Sequence, residues 1–267
     1  MSNKKDLVSK ILGSRKYRDL HLPEETVQDL IENESQRYQD SRSIEDSVRK
    51  KLHQITALYL GDPDYAQAMQ QLEDIHERSG LITFAQQMLE THTSTRERLP
   101  YLRDFYHAIF EKVGMPTSIL DLACGLNPFA LPAMQLPAQT TYRAYDIHLP
   151  RVKLINAFFE KWGEGELHAE QRDILTDPPQ QKADVAFFFK EAHRMDARRK
   201  GSNRILWDAL QVNTLLVSLP RTNIRASHDI SQRMQQLVAD TLQDRLWTQE
   251  IMLFEDEMVF IIHKGKI

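Results

Sequence analysis

Apolar residues in the first 92 positions recur at intervals of three and four, the spacing that places side chains on one face of an α-helix. One helix is expected after Pro23, because a proline followed by two acidic residues is a favourable helix start. Another is expected to end at the Gly-Asp-Pro sequence of residues 61–63, and Ser79 and Gly80 separate two further short helices. The pattern therefore predicts an all-helical domain over residues 1–92.

After residue 112 the pattern changes to short apolar runs that alternate with helical stretches. This alternation is typical of β and α units that build a parallel sheet. The expected strands are residues 118–122, 141–145, 184–189, 214–219, 245–254 and 257–263, with a further strand before Arg172. The last two are expected to form an antiparallel pair that closes the sheet. Residues 93–267 are therefore predicted to form an α/β domain with a mainly parallel sheet.

The composition is that of a globular chain outside the membrane. Of 267 residues, 41% are hydrophobic and 27% are charged, which is enough apolar material for a sizeable core. No apolar run approaches the roughly 20 residues that a membrane-spanning helix needs, and the first ten residues contain no apolar signal core. The single cysteine, Cys124, excludes an internal disulfide, and no Cys/His cluster has zinc-site spacing. We expect a cytoplasmic protein with no metal and no membrane partner.

Charge is unevenly distributed along the chain. The net charge is −4, yet residues 1–18 carry six cations and one anion, and residues 190–225 carry eight cations and three anions. Residues 240–258 carry six acids against Arg245, so the acidic excess lies partly near the C-terminus. The chain can therefore present a basic face to a nucleic acid although it is acidic overall.

The most informative chemistry follows the first predicted strand. Asp121 lies near the end of this strand, and a small residue, Ala123, and then Gly125 follow it. A small residue and a glycine bring backbone close to a ligand at the carboxyl edge of a parallel sheet. A dinucleotide site would need three glycines here, and a phosphate loop would need a Lys-Ser/Thr pair, and the sequence has neither. The pattern favours a nucleotide-type ligand that is poor in phosphate.

Two further acidic residues follow the next two strands. Asp146 ends the second strand, where a carboxylate can accept hydrogen bonds from ribose hydroxyls, and Ile147 comes next. Asp173 and Ile174 follow the third strand, where an acid can receive an adenine amino group. A lone aspartate at a strand end is more often a turn or helix cap. Three acids at three successive strand ends instead suggest a pocket for S-adenosylmethionine.

Five stretches of the chain resemble a known family. They are residues 11–18, 48–53, 92–99, 120–128 and 146–148. The most specific are the Ser-Thr-Arg-Glu-Arg-Leu and Ala-Cys-Gly-Leu-Asn-Pro motifs. The sequence resembles the 16S ribosomal RNA guanine-N7 methyltransferases that give aminoglycoside resistance, the Arm/Rmt group and their actinomycete producer relatives. The resemblance spans most of the chain and identifies it as a divergent member.

The resemblance implies a fold, an activity and a partner. The fold would be a helical domain that docks on the assembled 30S subunit, followed by a class I Rossmann-like methyltransferase domain. The activity would be transfer of a methyl group from S-adenosyl-L-methionine to N7 of guanine 1405 in the decoding region, with S-adenosyl-L-homocysteine as product. Aminoglycoside resistance is the expected phenotype. The oligomeric state stays open, with a monomer expected.

Roles for single residues follow from the same resemblance and from the strand-end pattern. The expected cofactor residues are Arg98, Asp121, Ala123, Gly125, Asp146, Ile147, Asp173 and Ile174. The first of these would bind the cofactor carboxylate. The expected RNA-contacting cations are Lys16, Arg49, Lys51, Arg221 and Arg225, for each of which the alternative is a solvated surface residue. Lys190 would lie beside the target base and position it without acting as a general base.

Two segments depart from the family pattern. Residues 191–196 read Glu-Ala-His-Arg-Met-Asp where the family usually has an apolar continuation, and residues 221–229 lack the usual glycine-rich loop. Both segments are expected to face the target nucleotide. Two alternatives therefore stay open: a methyltransferase for another rRNA base, and a non-catalytic ribosome- or RNA-binding protein that retains the fold.

Overall fold

The computed structural model describes residues 2–56, 62–222 and 228–265. Its first helices are α1 (Ser2–Leu12), α2 (Glu24–Ser35) and α3 (Ser41–Thr56). These helices share a core of their own, in which Leu30 and Ile31 of α2 pack with Val48 and Leu52 of α3. Residues four apart lie on one helix face, so the apolar spacing in the sequence becomes a shared core. The predicted continuation of the third helix to residue 61 lies outside the described residues.

One sheet organises the α/β part of the chain. Its strands are β1 (Ser118–Leu122), β2 (Thr141–Asp146), β3 (Glu166–Gln171), β4 (Ala183–Phe189), β5 (Val212–Pro220), β6 (Thr248–Leu253) and β7 (Glu257–His263). They lie in the order β3-β2-β1-β4-β5-β7-β6. The pairs from β3 to β5 are parallel, and β7 is antiparallel to both of its neighbours. The predicted α/β fold with a mainly parallel sheet and an antiparallel C-terminal pair is confirmed.

Helices cover both faces of this sheet. They are α4 (Tyr65–Glu73), α5 (Arg78–Thr91), α6 (Thr93–Arg96), α7 (Leu102–Val113), α8 (Leu131–Met134), α9 (Leu149–Trp162), α10 (Ala192–Arg198), α11 (Ser202–Ala209) and α12 (Ser231–Leu242). Phe187 and Phe188, neighbours on β4, are buried in two different core clusters, because successive side chains of a strand point to opposite faces. None of the described helices has the length and apolarity to cross a membrane.

The topology also fixes where a ligand can bind. The strand order reverses between β1 and β4, because β1 pairs with β2 on one side and with β4 on the other. In an open α/β sheet, such a switch point leaves a crevice at the carboxyl ends of the strands. The predicted strand-end acids lie at this edge of the sheet.

Helices α4 and α5 pack with the sheet and with α7. Leu72 of α4 and Phe84 of α5 belong to the same buried cluster as Ile109 of α7 and Ile119 of β1. Their apolar faces therefore contribute to the core of the α/β part, whereas α1 to α3 have a separate core. The domain boundary at residue 92 stays a prediction.

The prediction that Ser79 and Gly80 separate two helices is wrong. Both residues lie in the first turn of α5. A Cβ on Gly80 would lie 2.8 Å from Cγ2 of Ile75, closer than two carbon atoms can approach without strain. The glycine is therefore used for close packing at a helix start, a role that sequence reasoning misread as a break.

Candidate functional site

The loop after β1 brings backbone to the carboxyl edge of the sheet. Ala123 and Gly125 both adopt left-handed backbone, with φ angles of 49° and 54°. Such a conformation costs a residue with a side chain about 1 to 3 kcal/mol, whereas glycine adopts it freely. The amide of Gly125 donates to Oδ2 of Asp146 at 3.0 Å, and a Cβ built on Gly125 would enter open space. The loop therefore presents accessible backbone beside a strand-end carboxylate.

Asp146 is buried at the end of β2 and is held by several donors. Besides the loop amide, it accepts hydrogen bonds from the amide of His148 at 2.8 Å and from Nη1 of Arg151 at 2.7 Å. Arg151 also pairs with Asp62 at 2.7 Å. Burial by itself would raise the pKa of Asp146, but Arg151 and the His148 amide hold it below its ordinary value. This carboxylate is therefore ionised at neutral pH, and its role at the ribose stays a prediction.

Asp121 lies beneath the same loop, on β1. Its Oδ2 accepts hydrogen bonds from the hydroxyl of Tyr142 at 2.5 Å and from the side-chain amide of Asn127 at 3.0 Å. Burial raises the pKa of Asp121 to about 7. The carboxyl group thus supports the loop from the core side, and a direct cofactor contact stays a prediction.

We expect Asp121 to make the fold less stable as the pH rises. Between the ordinary pKa of about 4 and the raised pKa of about 7, the folded chain keeps a proton that the unfolded chain has released. The free energy of unfolding of the wild type, relative to that of Asp121→Asn, should therefore fall by about 3 kcal/mol from pH 4.5 to pH 8. Urea denaturation of both proteins at the two pH values measures this difference. A difference that does not change with pH would contradict the assignment.

Arg98 forms a buried ion pair at the same edge. Its guanidinium donates to both carboxylate oxygens of Glu257, at 2.8 and 2.7 Å, and its Nη1 reaches Oδ1 of Asn127 at 3.2 Å. The exposed fractions of the two side chains are 3% and 0%. The guanidinium also lies 4.2 Å from the ring centroid of Phe105. Arg98 is therefore brought to the site, while its contact with a cofactor carboxylate stays a prediction.

Lys190 follows β4 and lies at the carboxyl edge. Its backbone is left-handed, with φ of 58°, and its amide donates to the carbonyl of Ser218 on β5 at 2.9 Å. Its ammonium pairs with Glu97 at 2.6 Å. A lysine in this strained conformation costs about 1 to 3 kcal/mol, which the surrounding contacts offset. The structure places Lys190 at the predicted edge, and a role beside the target base stays a prediction.

Asp173 lies where the N-terminal helices meet the sheet. Its Oδ2 accepts the hydroxyl of Thr26 at 2.8 Å and pairs with Arg198 at 2.7 Å. Of the two predicted isoleucines, Ile174 is buried in a core cluster of the sheet, and Ile147 is partly buried against the core of α1 to α3. Cofactor contacts by these three residues stay predictions.

The predicted RNA-contacting cations are distributed over two regions. Lys16 is exposed and lies 2.9 Å from Nδ1 of His53, and Arg49 pairs with Glu45 at 3.0 Å. Lys51 is half-buried and pairs with Glu34 at 2.6 Å. Nη1 of Arg221 donates to the carbonyl of Phe254 at 2.9 Å. Arg225 lies outside the described residues.

The structure adds site residues that sequence reasoning did not identify. They are Asp62, Asn127, His148, Arg151, Glu191 and Glu257. Burial raises the pKa of Glu191, and the negative charge of Asp146 raises it further, whereas Arg194, which pairs with Glu191 at 2.9 Å, lowers it. The segment of residues 191–196 therefore begins at the site edge. An acidic residue at the start of the apolar run 257–263 was a visible signal for a buried ion pair, and Glu191 opens a segment that departs from the family pattern, whereas Asp62 left no local signal.

Comparison with known proteins places this geometry in a family. The model of the ribosomal RNA methyltransferase (FmrO) family matches residues 13–261. The chain belongs to this family. Among curated relatives, a 16S rRNA (guanine(1405)-N(7))-methyltransferase of Frankia casuarinae is 33% identical over 227 residues, covering 81% of this chain and 78% of the relative. One of the same name from Proteus mirabilis is 28% identical and covers 97% of this chain and 96% of the relative.

Solved structures of the FmrO family's relatives agree with the fold. The 16S rRNA methylase RmtB superposes with a TM-score of 0.80 at 25% identity, with 98% of each chain covered. RmtF, solved in complex with S-adenosyl-L-homocysteine, gives a TM-score of 0.77 at 26% identity, with 98% of each chain covered. The resemblance found in the sequence is therefore confirmed, and the chain is a ribosomal RNA methyltransferase of the FmrO family.

Proposed function

We propose that this chain transfers the methyl group of S-adenosylmethionine to N7 of guanine 1405 in 16S rRNA of the small ribosomal subunit. The observation that carries the proposal is the match to curated relatives with that activity over about four fifths of the chain. The geometry supports it, because Asp173, Asp146 and the Ala123 loop lie at the carboxyl ends of three adjacent strands, β3, β2 and β1.

The residues at the sheet edge fit S-adenosylmethionine. Gly125 leaves open space where a side chain would stand, and the ionised Asp146 beside it suits ribose hydroxyls. Arg98 would hold the cofactor carboxylate, and Asp173 the adenine amino group. When bound, the cofactor supplies an electrophilic methyl group on a sulfonium sulfur.

The protein's own contribution to the transfer is positioning. Guanine N7 has an available lone pair at neutral pH, so no general base is required and alignment supplies most of the rate. A base inside an RNA helix must first be extracted, at a cost of a few kcal/mol. Lys190, which follows β4, and Arg221, which follows β5, would hold the distorted RNA backbone, because phosphate contacts position while base contacts specify.

The N-terminal region would dock on the small subunit through cations that reach its surface, the exposed Lys16 and the partly exposed Arg49. We expect Lys16→Glu combined with Arg49→Glu to weaken 30S binding at least tenfold and to reduce the slope of log K against log salt by about 2, one unit for each lost phosphate contact. Filter binding over a range of potassium concentrations measures both. Arg103→Glu with Lys112→Glu on α7 makes the same charge change on exposed residues of another region and should leave binding unchanged. If both double variants weakened 30S binding equally, Lys16 and Arg49 would act only through the overall charge of the protein and not through phosphate contacts of their own.

The cellular setting follows from the proposed substrate. A protein that modifies the assembled 30S subunit acts in the cytoplasm, and a single chain carries all the proposed site residues, so we propose a monomer. A methyl group and a positive charge on the guanine edge would obstruct aminoglycosides of the gentamicin and kanamycin class. Expression in a susceptible bacterium should therefore raise the inhibitory concentration of gentamicin, and an unchanged concentration would contradict the resistance role.

Methyl transfer from labelled S-adenosylmethionine to purified 30S subunits tests the activity. The expected result is close to one methyl group per subunit, recovered as 7-methylguanosine after nuclease digestion. A different methylated nucleoside would favour the alternative of another rRNA base, which residues 191–196 and 221–229 keep open. Cofactor binding without any transfer would favour a non-catalytic RNA-binding protein.

A further inference from the structure

Arg198 joins the N-terminal helices to the proposed cofactor site. It is the last residue of α10, and its side chain is only 5% exposed. One guanidinium nitrogen pairs with Oδ2 of Asp173 at 2.7 Å, and another pairs with Oδ2 of Asp29 on α2 at 2.8 Å. A planar guanidinium can bridge two carboxylates with fixed geometry, which a lysine ammonium does less well. Arg198 therefore ties an acid of α2 to an acid of the cofactor edge.

Helix α2 holds Asp173 by a second, direct contact. The hydroxyl of Thr26, which is fully buried, donates to the same Oδ2 at 2.8 Å. Thr26 and Asp29 are three residues apart and lie on one face of the helix. The other oxygen, Oδ1, accepts only the amide of Leu175 among the described residues. One carboxylate oxygen is therefore fixed by α2 and Arg198, while the other retains a lone pair for a further donor.

Helix α3 contacts the same element. Nζ of Lys51 pairs with Glu34 on α2 at 2.6 Å and donates to the carbonyl of Arg198 at 3.1 Å. Lys51 is also one of the cations expected to contact RNA. Glu34 and the Arg198 carbonyl take two of the three donors of this ammonium, so an RNA phosphate could accept the third and share the group with α2 and α10. Lys51 therefore connects the proposed RNA contact to α10.

We infer that Arg198 is a positioning residue that orients Asp173 for the cofactor and links this orientation to the N-terminal helices, so that cofactor binding and 30S docking strengthen each other. The inference rests on the proposed function, because it assigns Asp173 to the cofactor. Linkage requires the effect to be reciprocal: if docking tightens cofactor binding, the cofactor tightens docking by the same factor.

Binding of labelled S-adenosylhomocysteine, which cannot be turned over, tests the inference in the presence and absence of saturating 30S subunits. Thr26→Val and Arg198→Lys should each weaken binding about tenfold in the absence of 30S, the loss expected for one hydrogen bond to a charged group. In the wild type, 30S should tighten binding about fivefold or more. In Asp29→Asn, the ratio of the affinities with and without 30S subunits should fall towards one.

Arg199→Gln is the matched control, because Arg199 pairs with the same Asp29 at 3.0 Å but makes no described contact with Asp173. It should bind S-adenosylhomocysteine within twofold of the wild type. The inference is overturned if the three test variants lose thermal stability while their affinities and the 30S factor stay at wild-type values. A wild-type chain that binds no S-adenosylhomocysteine would overturn the proposed function itself, and this result is distinct from a change confined to the variants.

Discussion

Asp146→Ala is expected to weaken S-adenosylmethionine binding by about 100-fold or more while leaving 30S binding in the absence of cofactor unchanged. Asp146 accepts the amide of Gly125, the amide of His148 and a guanidinium nitrogen of Arg151. Its loss would remove the proposed ribose acceptor and release the loop after β1 at the same time. Hydrogen bonds to a charged group contribute about 1.5 to 3 kcal/mol each, so the loss of two such bonds lowers the affinity more than about a hundredfold.

Calorimetry with S-adenosylmethionine measures this change, and Asp184→Ala is its control. Asp184 accepts hydrogen bonds from Thr117 and Ser118 at the opposite, amino end of the sheet. Its loss removes a comparable set of bonds but none at the carboxyl edge, so it should lower stability without changing the affinity for the cofactor. Unchanged affinity in Asp146→Ala would mean that the pocket is misplaced.

Arg98→Met is expected to have the largest effect on stability, a loss of about 3 to 5 kcal/mol in the free energy of unfolding. The reason is the partner that remains. Glu257 is fully buried, and Arg98 provides its bidentate pair. Burial alone would raise the pKa of Glu257, and Arg98 is the principal group that holds it below the ordinary value. Without the guanidinium, a buried carboxylate is left uncompensated or must take up a proton.

A double variant separates the ion pair from simple loss of packing. Arg98→Met with Glu257→Gln removes both charges and should recover much of the stability lost in Arg98→Met. Arg143→Met, which breaks a solvated pair with Glu166, should cost less than about 1 kcal/mol. Urea denaturation of the four proteins measures these differences. If the double variant were as unstable as Arg98→Met, the loss would come from packing and not from an unpaired acid.

Local sequence patterns predicted the strands of this protein and the edge of the sheet that carries the site. The predicted strands 118–122 and 257–263 have the observed bounds, and the three predicted acids lie at or just beyond the carboxyl ends of three adjacent strands. These features depend on apolar periodicity and on the residue at a strand end, both of which are visible within about ten residues. The strand-end acids suggested the cofactor, and the family motifs added the substrate, which periodicity alone could not supply.

Long-range partners were beyond such patterns. Arg98 and Glu257 are 159 residues apart, and Asp173 and Thr26 are 147 residues apart, so no local spacing relates them. Lys51 illustrates the same limit for charge: a cation on a helix surface looks free to contact RNA, whereas the structure pairs it with Glu34. Tertiary packing decides which charged side chains form ion pairs within the protein, and local sequence does not show this.

The most direct test of the proposed function is to map the methylated nucleotide. Purified 30S subunits are incubated with the protein and S-adenosylmethionine, the RNA is cleaved chemically at 7-methylguanosine, and reverse transcription locates the break. We expect one new stop, at guanine 1405, that is absent when Asp146→Ala replaces the wild type. A stop at another guanine, or no stop from a protein that binds the cofactor, would contradict the proposed target.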